Sequence, residues 1–409
     1  MTATAPRICC LDLDTFFVSV ERLLDPSLEG KSVIVGGRPG ERGVVTACSY
    51  EIRAFGVRSG MSLANAARLA PKEAIFVPTR ADTYGHYSKS VREIAGRYSP
   101  VIQVASIDEL YMDLAGCEAL YREPTDESDD ATILRVAREL TATIKKELGL
   151  PASIGIGSSR SMAKVASGLA KPAGVLLVPA GTEADLLAPL SVRKLPGIGP
   201  VAERKLSTLN ITTLGQLADT RLSVLRSVFG AWAEHVKAGA RGQGSSNLSR
   251  DRPAFKEHDI KGDAHGSISN ERTFRQDVCE PRILEARLCS LCERVCWRAR
   301  KRGVKARTVT LKLRYADFQT ISRSRTIAPT CSELELFPVV KELLEKGHTR
   351  TLPIRLLGVA LSKLGSFDHQ ISLFGADKER NEAVDAIREK FGYDALRLAT
   401  GQRFRAKKA

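Results

Sequence analysis

No apolar run in this 409-residue sequence reaches the roughly 18 residues a membrane-spanning helix requires, so a helical membrane protein is excluded. The N-terminus lacks a basic stretch followed by an apolar one, since Ile8-Cys9-Cys10-Leu11 is interrupted by Asp12, and secretion is not expected. Nine cysteines, an odd number without framework spacing, argue against a disulfide scaffold and for a reducing cytoplasm. Cys289, Cys292 and Cys296 fall on one helical face beside Leu288, Leu291 and Val295. Zinc would need a fourth ligand that no nearby His or Cys supplies, so they read as a buried helix face. Two phosphate-binding motifs are also missing. Gly30-Lys31-Ser32 ends like a Walker A loop, but Asp25 stands where the first glycine is needed, and Gly155-Ile156-Gly157 lacks the third glycine of a dinucleotide fingerprint. ATPase and dehydrogenase are set aside.

What the chain has in excess is positive charge: 62 Lys and Arg against 47 Asp and Glu, a net +15. Such an excess points to a polyanionic partner, nucleic acid before an anionic membrane. With 43% hydrophobic residues the chain has ample material for globular cores, and its length suggests about two or three domains. The charge is concentrated. From Arg294 to Arg325, eleven basic residues oppose the single acid Asp317. Lys312 and Arg314 alternate with Leu311 and Leu313, and Arg323 and Arg325 alternate with serines. The expectation is one basic face on paired strands, lined by Lys305, Arg307, Lys312, Arg314, Arg323 and Arg325 and suited to tracking phosphates.

Periodicity predicts a strand over 7–13 and a helix over 16–24, then short strands at 32–36 and 43–48. Helices follow near 49–55 and 62–70, a strand at 74–78, a helix at 82–98 and a β-hairpin over 101–114. A helix over 129–148, a strand at 153–157 and a helix at 159–170 complete an α+β region. Short helices separated by Gly and Pro fill 176–242, and the Gly/Ser-rich stretch 243–265 reads as a linker. Beyond it the order β-α-β-β-α-β covers 266–363. A tail over 364–409 holds one helix, with Ala383, Val384, Ile387 and Phe391 on one face, and a basic end.

Carboxylates gather at element ends. Asp12-Leu13-Asp14 closes the first strand, and Asp108-Glu109 sits at the hairpin turn. Asp14 precedes a helix and reads as its N-cap. Asp12, Asp108 and Glu109 lack such a reason, and unpaired charge at the end of an apolar strand is costly. If the strand pairs beside the hairpin they converge into an all-oxygen site of the kind Mg²⁺ prefers. Two ions about 3.5–4 Å apart would hold an attacking and a leaving oxygen in line.

These residues resemble the Y-family translesion DNA polymerases, in their bacterial DNA polymerase IV branch. Leu11-Asp12-Leu13-Asp14-Thr15-Phe16-Phe17-Val18-Ser19-Val20-Glu21 is similar to the first palm motif. Val44 to Arg53, with Phe55-Gly56-Val57 and Gly60-Met61, is similar to the fingers motif. Ser106-Ile107-Asp108-Glu109 resembles the second palm motif, Leu169 to Gly174 the palm's end, Leu195-Pro196-Gly197-Ile198-Gly199 the thumb hairpin, and Ser267 to Phe274 the start of the little finger.

The resemblance implies a right-hand polymerase: palm (1–20 and 76–175), small fingers (21–75), helical thumb (176–242), linker (243–265), little finger (266–363) and tail (364–409). It implies Asp12, Asp108 and Glu109 as ligands of two Mg²⁺ ions, with the Leu13 carbonyl assisting. Phe16, Phe17, Thr46, Tyr50, Arg53 and Lys171 would meet the incoming dNTP, with Phe17 as a steric gate against the ribose 2′-hydroxyl. Gly197, Ile198 and Gly199 would meet a phosphate of primer–template DNA. Gln370, Ile371, Leu373 and Phe374 resemble a sliding-clamp peptide, although Ile replaces the family's first Leu and further chain follows. A small fingers segment implies low fidelity and tolerance of damaged templates. A monomeric, cytoplasmic enzyme without membrane contact is expected. A non-catalytic relative would have lost the palm carboxylates, and a nucleotidyl cyclase would have no use for a thumb hairpin and a basic sheet.

Overall fold

The computed structural model describes residues 6–248, 266–366 and 376–402, and the chain divides into two compact units, Met1–Phe255 and Lys256–Ala409. The first unit holds strands β1 (Ile8–Leu13), β2 (Val33–Gly36), β3 (Ala47–Cys48), β4 (Ile75–Pro78), β5 (Ile102–Val104), β6 (Glu109–Asp113), β7 (Ala152–Gly157) and β8 (Val175–Leu177). They form a five-stranded sheet in the order β5-β6-β1-β7-β8 and a three-stranded sheet in the order β3-β2-β4.

β1 is central and fully buried, which is why it reads as a nearly continuous apolar run. Cys9, Leu11 and Leu13 face a core shared with Tyr84, Val91 and Ile94 of helix Ala81–Ala95 and Ile133, Ala137 and Leu140 of helix Asp129–Leu148. On the opposite face lie Ile8, Cys10 and Asp12, because side chains alternate along a strand. Helix Arg160–Ala170 covers this face at very short range. A Cβ on Gly155 would stand 1.9 Å from the Ser167 nitrogen, so only glycine allows the helix so close. That is the physical role of the Gly155-Ile156-Gly157 run.

The small sheet has its own core of Ile34, Val45, Cys48, Ile52, Val57, Leu63 and Ala66. Its edge is shorter than the predicted 43–48 strand: only Ala47–Cys48 pair in the ladder, while Val44 makes an isolated bridge to Ser62. β8 lies across the expected palm boundary at 175. Short helices then pack on a third core of Leu187, Val192, Leu195, Leu206, Leu214, Leu225 and Val236. The expected linker begins as part of this unit, since Arg160 N–H donates to Ser245 O at 3.1 Å and Leu248 packs on Ile8, Cys10, Tyr111 and Ala163. Residues 249–265 lie outside the described residues.

The second unit contains β9 (Ile268–Val278), β10 (Lys305–Tyr315), β11 (Thr320–Thr330) and β12 (Ile354–Gly365), ordered β11-β10-β12-β9, with helices Pro281–Lys301 and Glu333–Gly347. Cys289, Cys292 and Cys296 are buried on the first helix.

Register corrects the expected basic face. In β10–β11 pairing Leu311 stands opposite Arg323 and Val309 opposite Arg325, while Lys312 stands opposite Ser322. Opposite residues of an antiparallel pair share a face. Arg323 and Arg325 therefore lie on the helix-covered side with Leu311 and Val309, and Arg325 forms an ion pair with Glu342 at 2.6 Å. The open face carries Lys312 and Arg314 among Thr308, Thr310, Ser322, Ser324 and Thr326. Lys312 contacts Glu271 at 2.9 Å, and Arg314 donates to the Thr320 hydroxyl at 2.8 Å. Arg307 lies at a register irregularity between Ala306 and Thr308, and Lys305 just before it.

The tail helix is Ala376–Phe391, and its expected apolar face is turned outward. Ile387 is 41% and Phe391 67% exposed, whereas Arg388 is 2% exposed. Arg388 donates to Glu293 at 2.8 Å, and Arg300 to Asp385 at 2.6 Å, so the helix docks through its charges. Gln370, Ile371, Leu373 and Phe374 lie outside the described residues.

Candidate active site

Asp12 and Glu109 stand directly opposite each other in the β1–β6 ladder, on the face covered by helix Arg160–Ala170. Like charges placed so are mutually destabilising unless a cation joins them. Lys164, on that helix, supplies one. Its Nζ lies 2.6 Å from Asp12 Oδ2 and 2.5 Å from Glu109 Oε2. Lys171, at the end of the same helix, places its Nζ 2.5 Å from Asp12 Oδ1. Burial by itself would lower the Lys164 pKa, but the charges of Asp12 and Glu109 outweigh it and hold it above the ordinary 10.5. The Cys10 thiol also points to Glu109 Oε1, at 3.7 Å, and burial raises its pKa.

Asp108 is adjacent in the backbone, where its carbonyl accepts from the Leu13 N–H at 2.9 Å. Its carboxylate, however, accepts from the Ser106 hydroxyl two residues away and does not share the Lys164 ammonium. The structure thus joins Asp12 and Glu109 under one ammonium, while the Asp108 carboxylate is engaged by the Ser106 hydroxyl. The donor set fits a hard divalent cation: it is all carboxylate oxygen, and the space between Asp12 and Glu109 already holds a positively charged atom.

Asp14 is not the expected helix cap. Thr15, in a left-handed conformation, precedes helix Phe16–Leu24, and no side chain caps it. Asp14 is buried and accepts from Tyr50, Ser153 and Ala173. Tyr50 is half-exposed at the start of the short helix Tyr50–Arg53, with the Arg53 guanidinium 4.8 Å from its ring centroid. Burial, then the charge of Asp14, pushes its phenol up to about 12. Thr46, exposed, donates its hydroxyl to Val35 O at 2.9 Å.

Phe17 stacks on Tyr84 with centroids 4.1 Å apart and planes 14° from parallel. Tyr84 is fixed in turn, its hydroxyl donating to buried Glu21 at 2.6 Å. The Phe16 ring is in the core, leaving its backbone as the part that could meet a nucleotide.

In the helical segment, Gly197 has φ +95° and a Cβ there would meet the Trp232 ring at 2.4 Å. Ile198 is a further correction. Its side chain is core and its N–H donates to Leu195 O at 3.1 Å, so it shapes the turn instead of offering a donor to DNA. Gly199 caps helix Pro200–Ser207.

Lys164 and the hub at Asp14 were not foreseen. A signal for the first existed: Lys164 and Lys171 are two turns apart on one small-residue helix, hence on one face.

Residues 11–168 match the impB/mucB/samB family, 265–373 match that family's C-terminal domain, and 193–233 match the thumb domain of DNA polymerase iota. A DNA polymerase IV of Dehalococcoides mccartyi is 38% identical, over 98% of this chain and 98% of its own. One of Streptomyces coelicolor is 37% identical, over 93% of this chain and 75% of its own. A solved Y-family DNA polymerase chimera, Dbh-Dpo4(243-245)-Dbh, is similar in fold with a TM-score of 0.73 at 23% identity, over 87% of this chain and 98% of its own.

Proposed function

Because the chain belongs to the Y-family DNA polymerases, in their DNA polymerase IV branch, we propose that its nucleotidyl transfer is carried out at the Asp12–Glu109 pair with Asp108. The protein is a low-fidelity, DNA-directed DNA polymerase of translesion synthesis, with the right-hand architecture of palm, small fingers, thumb and little finger. It uses a divalent metal; two Mg²⁺ ions held by Asp12, Asp108, Glu109 and the Leu13 carbonyl are our specific reading. Bound there, the metal supplies charge neutralisation for the oxygens exchanged at the α-phosphate. The reaction joins a primer 3′-hydroxyl to that phosphorus and releases pyrophosphate.

The observation that carries this reading is the facing pair of carboxylates bridged by an ammonium. Lys171 beside Asp12, Tyr50 beside Asp14 and Arg53 over the Tyr50 ring are the proposed clamp for the triphosphate, with Thr46 and the Phe16 backbone as further proposed contacts. Guanidinium and ammonium groups are suited to a polyphosphate. Phe17, braced by Tyr84, closes the space where a ribose 2′-hydroxyl would sit. Palm at 1–20 and 79–177, fingers at 21–78, thumb at 178–242 and little finger at 266–365 are the proposed boundaries, moved from the expected 75, 175 and 363 so that β4, β8 and β12 stay whole. Gly197 and Gly199 of the thumb, and Lys312 and Arg314 of the little finger, are the proposed contacts to primer–template DNA.

Gln370, Ile371, Leu373 and Phe374 are proposed to dock on a sliding clamp, which binding of a 366–380 peptide to a clamp tests. Among the described residues no helix is long and apolar enough to cross a membrane. A cytoplasmic, monomeric enzyme is our reading.

Primer extension with Asp108→Ala is the decisive measurement. We expect extension to fall at least about 10²–10³-fold while affinity for primer–template DNA survives; full activity would remove Asp108 from the site. Phe17→Ala should reduce discrimination against ribonucleotides by about 1–3 kcal/mol, the scale of a steric clash, read from kcat/KM for dNTP and rNTP.

A further inference from the structure

Asp14 is 1% exposed and lies two residues beyond Asp12, yet neither helix capping nor metal binding accounts for it. Its two oxygens are divided between different tasks. Oδ2 accepts from the Ser153 hydroxyl of β7 at 2.7 Å and from the Ala173 N–H at 2.7 Å, both scaffold groups. Oδ1 faces the Tyr50 hydroxyl at 3.2 Å and the Lys171 ammonium at 3.3 Å. Its own backbone is pinned as well: its N–H donates to Pro151 O at 3.0 Å, and its carbonyl accepts from the Ser19 hydroxyl at 2.8 Å. A buried carboxylate needs several strong donors to be tolerated. Here one pair of donors anchors it and the other pair is what it holds.

We infer that Asp14 is a positioning residue that sets Tyr50 and Lys171 at a fixed distance from Asp12, so that the grip on the nucleotide triphosphate is formed before the nucleotide arrives. This rests on the reading that Tyr50 and Lys171 hold the triphosphate. Tyr50 begins a helix of only four residues, and Asp14 gives its hydroxyl a fixed acceptor; Lys171, at a helix end and already paired with Asp12 at 2.5 Å, gains in Asp14 a second carboxylate that fixes its direction. The carboxylate ties these two separate segments to the end of β1, where Asp12 sits. Pre-ordering of this kind strengthens ground-state binding and leaves the chemical step largely unaltered.

Asp14→Asn separates the two tasks. With its amide oxygen in the Oδ2 place the variant keeps Ser153 and Ala173, and its NH₂ then confronts the Lys171 ammonium. We expect the KM for dNTP to rise about tenfold, the loss of hydrogen bonds to a charged group. The kcat should stay within about threefold, with unchanged primer–template affinity by fluorescence anisotropy and an unchanged melting temperature. In the double variant Asp14→Asn/Tyr50→Phe the KM should rise by less than the product of the two single effects, because the two changes share the Asp14–Tyr50 bond; full multiplicativity would show that Asp14 does not act through Tyr50. An unchanged KM in Asp14→Asn, alongside raised KM values for Tyr50→Phe and Lys171→Ala, would overturn the inference and leave the triphosphate reading standing. Unchanged KM in Tyr50→Phe and Lys171→Ala would instead overturn the reading on which it rests. If Asp14→Asn does not fold, Ser153→Ala removes one anchoring donor: a raised KM supports the inference, and an unchanged KM sinks it.

Discussion

On the sheet of the first unit, Asp12 and Glu109 face a helix that delivers cations to them. On the sheet of the second unit, Lys312 and Arg314 face outward among hydroxyls, while Arg323 and Arg325 lie on the helix side, where Arg325 meets Glu342. In both sheets the charges sit on strands that pair antiparallel, β1 with β6 and β10 with β11. The difference lies in what stands opposite. A carboxylate facing a carboxylate needs a positive partner from another element, whereas an arginine at an edge strand can reach past the sheet to a helix carboxylate. Strand alternation therefore sorts side chains into two faces, and only register says which face is which.

Removing the Lys164 ammonium is the strongest way to break this comparison. Lys164→Met leaves Asp12 and Glu109 facing each other, and we expect a loss of about 2 kcal/mol in denaturant unfolding without metal. That is below the roughly 3–5 of a fully buried pair, because the side chain retains 30% exposure. Added Mg²⁺ should restore part of the loss; equal stability with and without the ammonium would mean that the two carboxylates need no bridging charge.

The second sheet is sharpened by its own contrast. Lys312→Ala should weaken DNA binding and lower the salt slope of affinity by about 1, whereas Arg325→Ala should leave that slope unchanged. Equal effects would show that the helix-side arginine reaches DNA after all.

The smallest effect concerns pH. Hydrogen bonds from Arg325, then Lys346, hold the Glu342 carboxyl down at about 2, from an ordinary 4.5. A depressed carboxyl stabilises the fold above its unfolded pKa and loses that contribution as pH falls through the folded one. Unfolding followed between pH 4.5 and 2 should therefore decline less steeply for Glu342→Gln than for the unaltered protein.

Element positions were largely legible because periodicity is strong where one face is buried. Helices Phe16–Leu24, Asp129–Leu148 and Pro281–Lys301 begin and end where their patterns do. The orientation of β11 was also within reach, since Ile321 and Ile327 share parity with Arg323 and Arg325, and both pack against the core. The hydrophilic Ser-Arg-Ser-Arg run obscured it. Asp14 was illegible for a different reason: an aspartate just before a helix looks the same whether it caps the helix or turns inward to gather donors from residues 50, 153 and 173. The docking side of the tail helix was not legible, because amphipathicity reports an apolar stripe and not the Glu293 carboxylate far back in the chain that draws Arg388 inward.

That inward turn has a bearing on where the little finger ends. Burial already pushes the Glu293 carboxyl above its ordinary range, and Arg388 and the Leu398 N–H compensate it. A polypeptide stopping at the end of β12 would keep every strand of the second unit yet strand an acid inside its helical layer. Helix Ala376–Phe391 is worth most as a counter-charge, for Ile387 and Phe391 give up little water-exposed area when it seats.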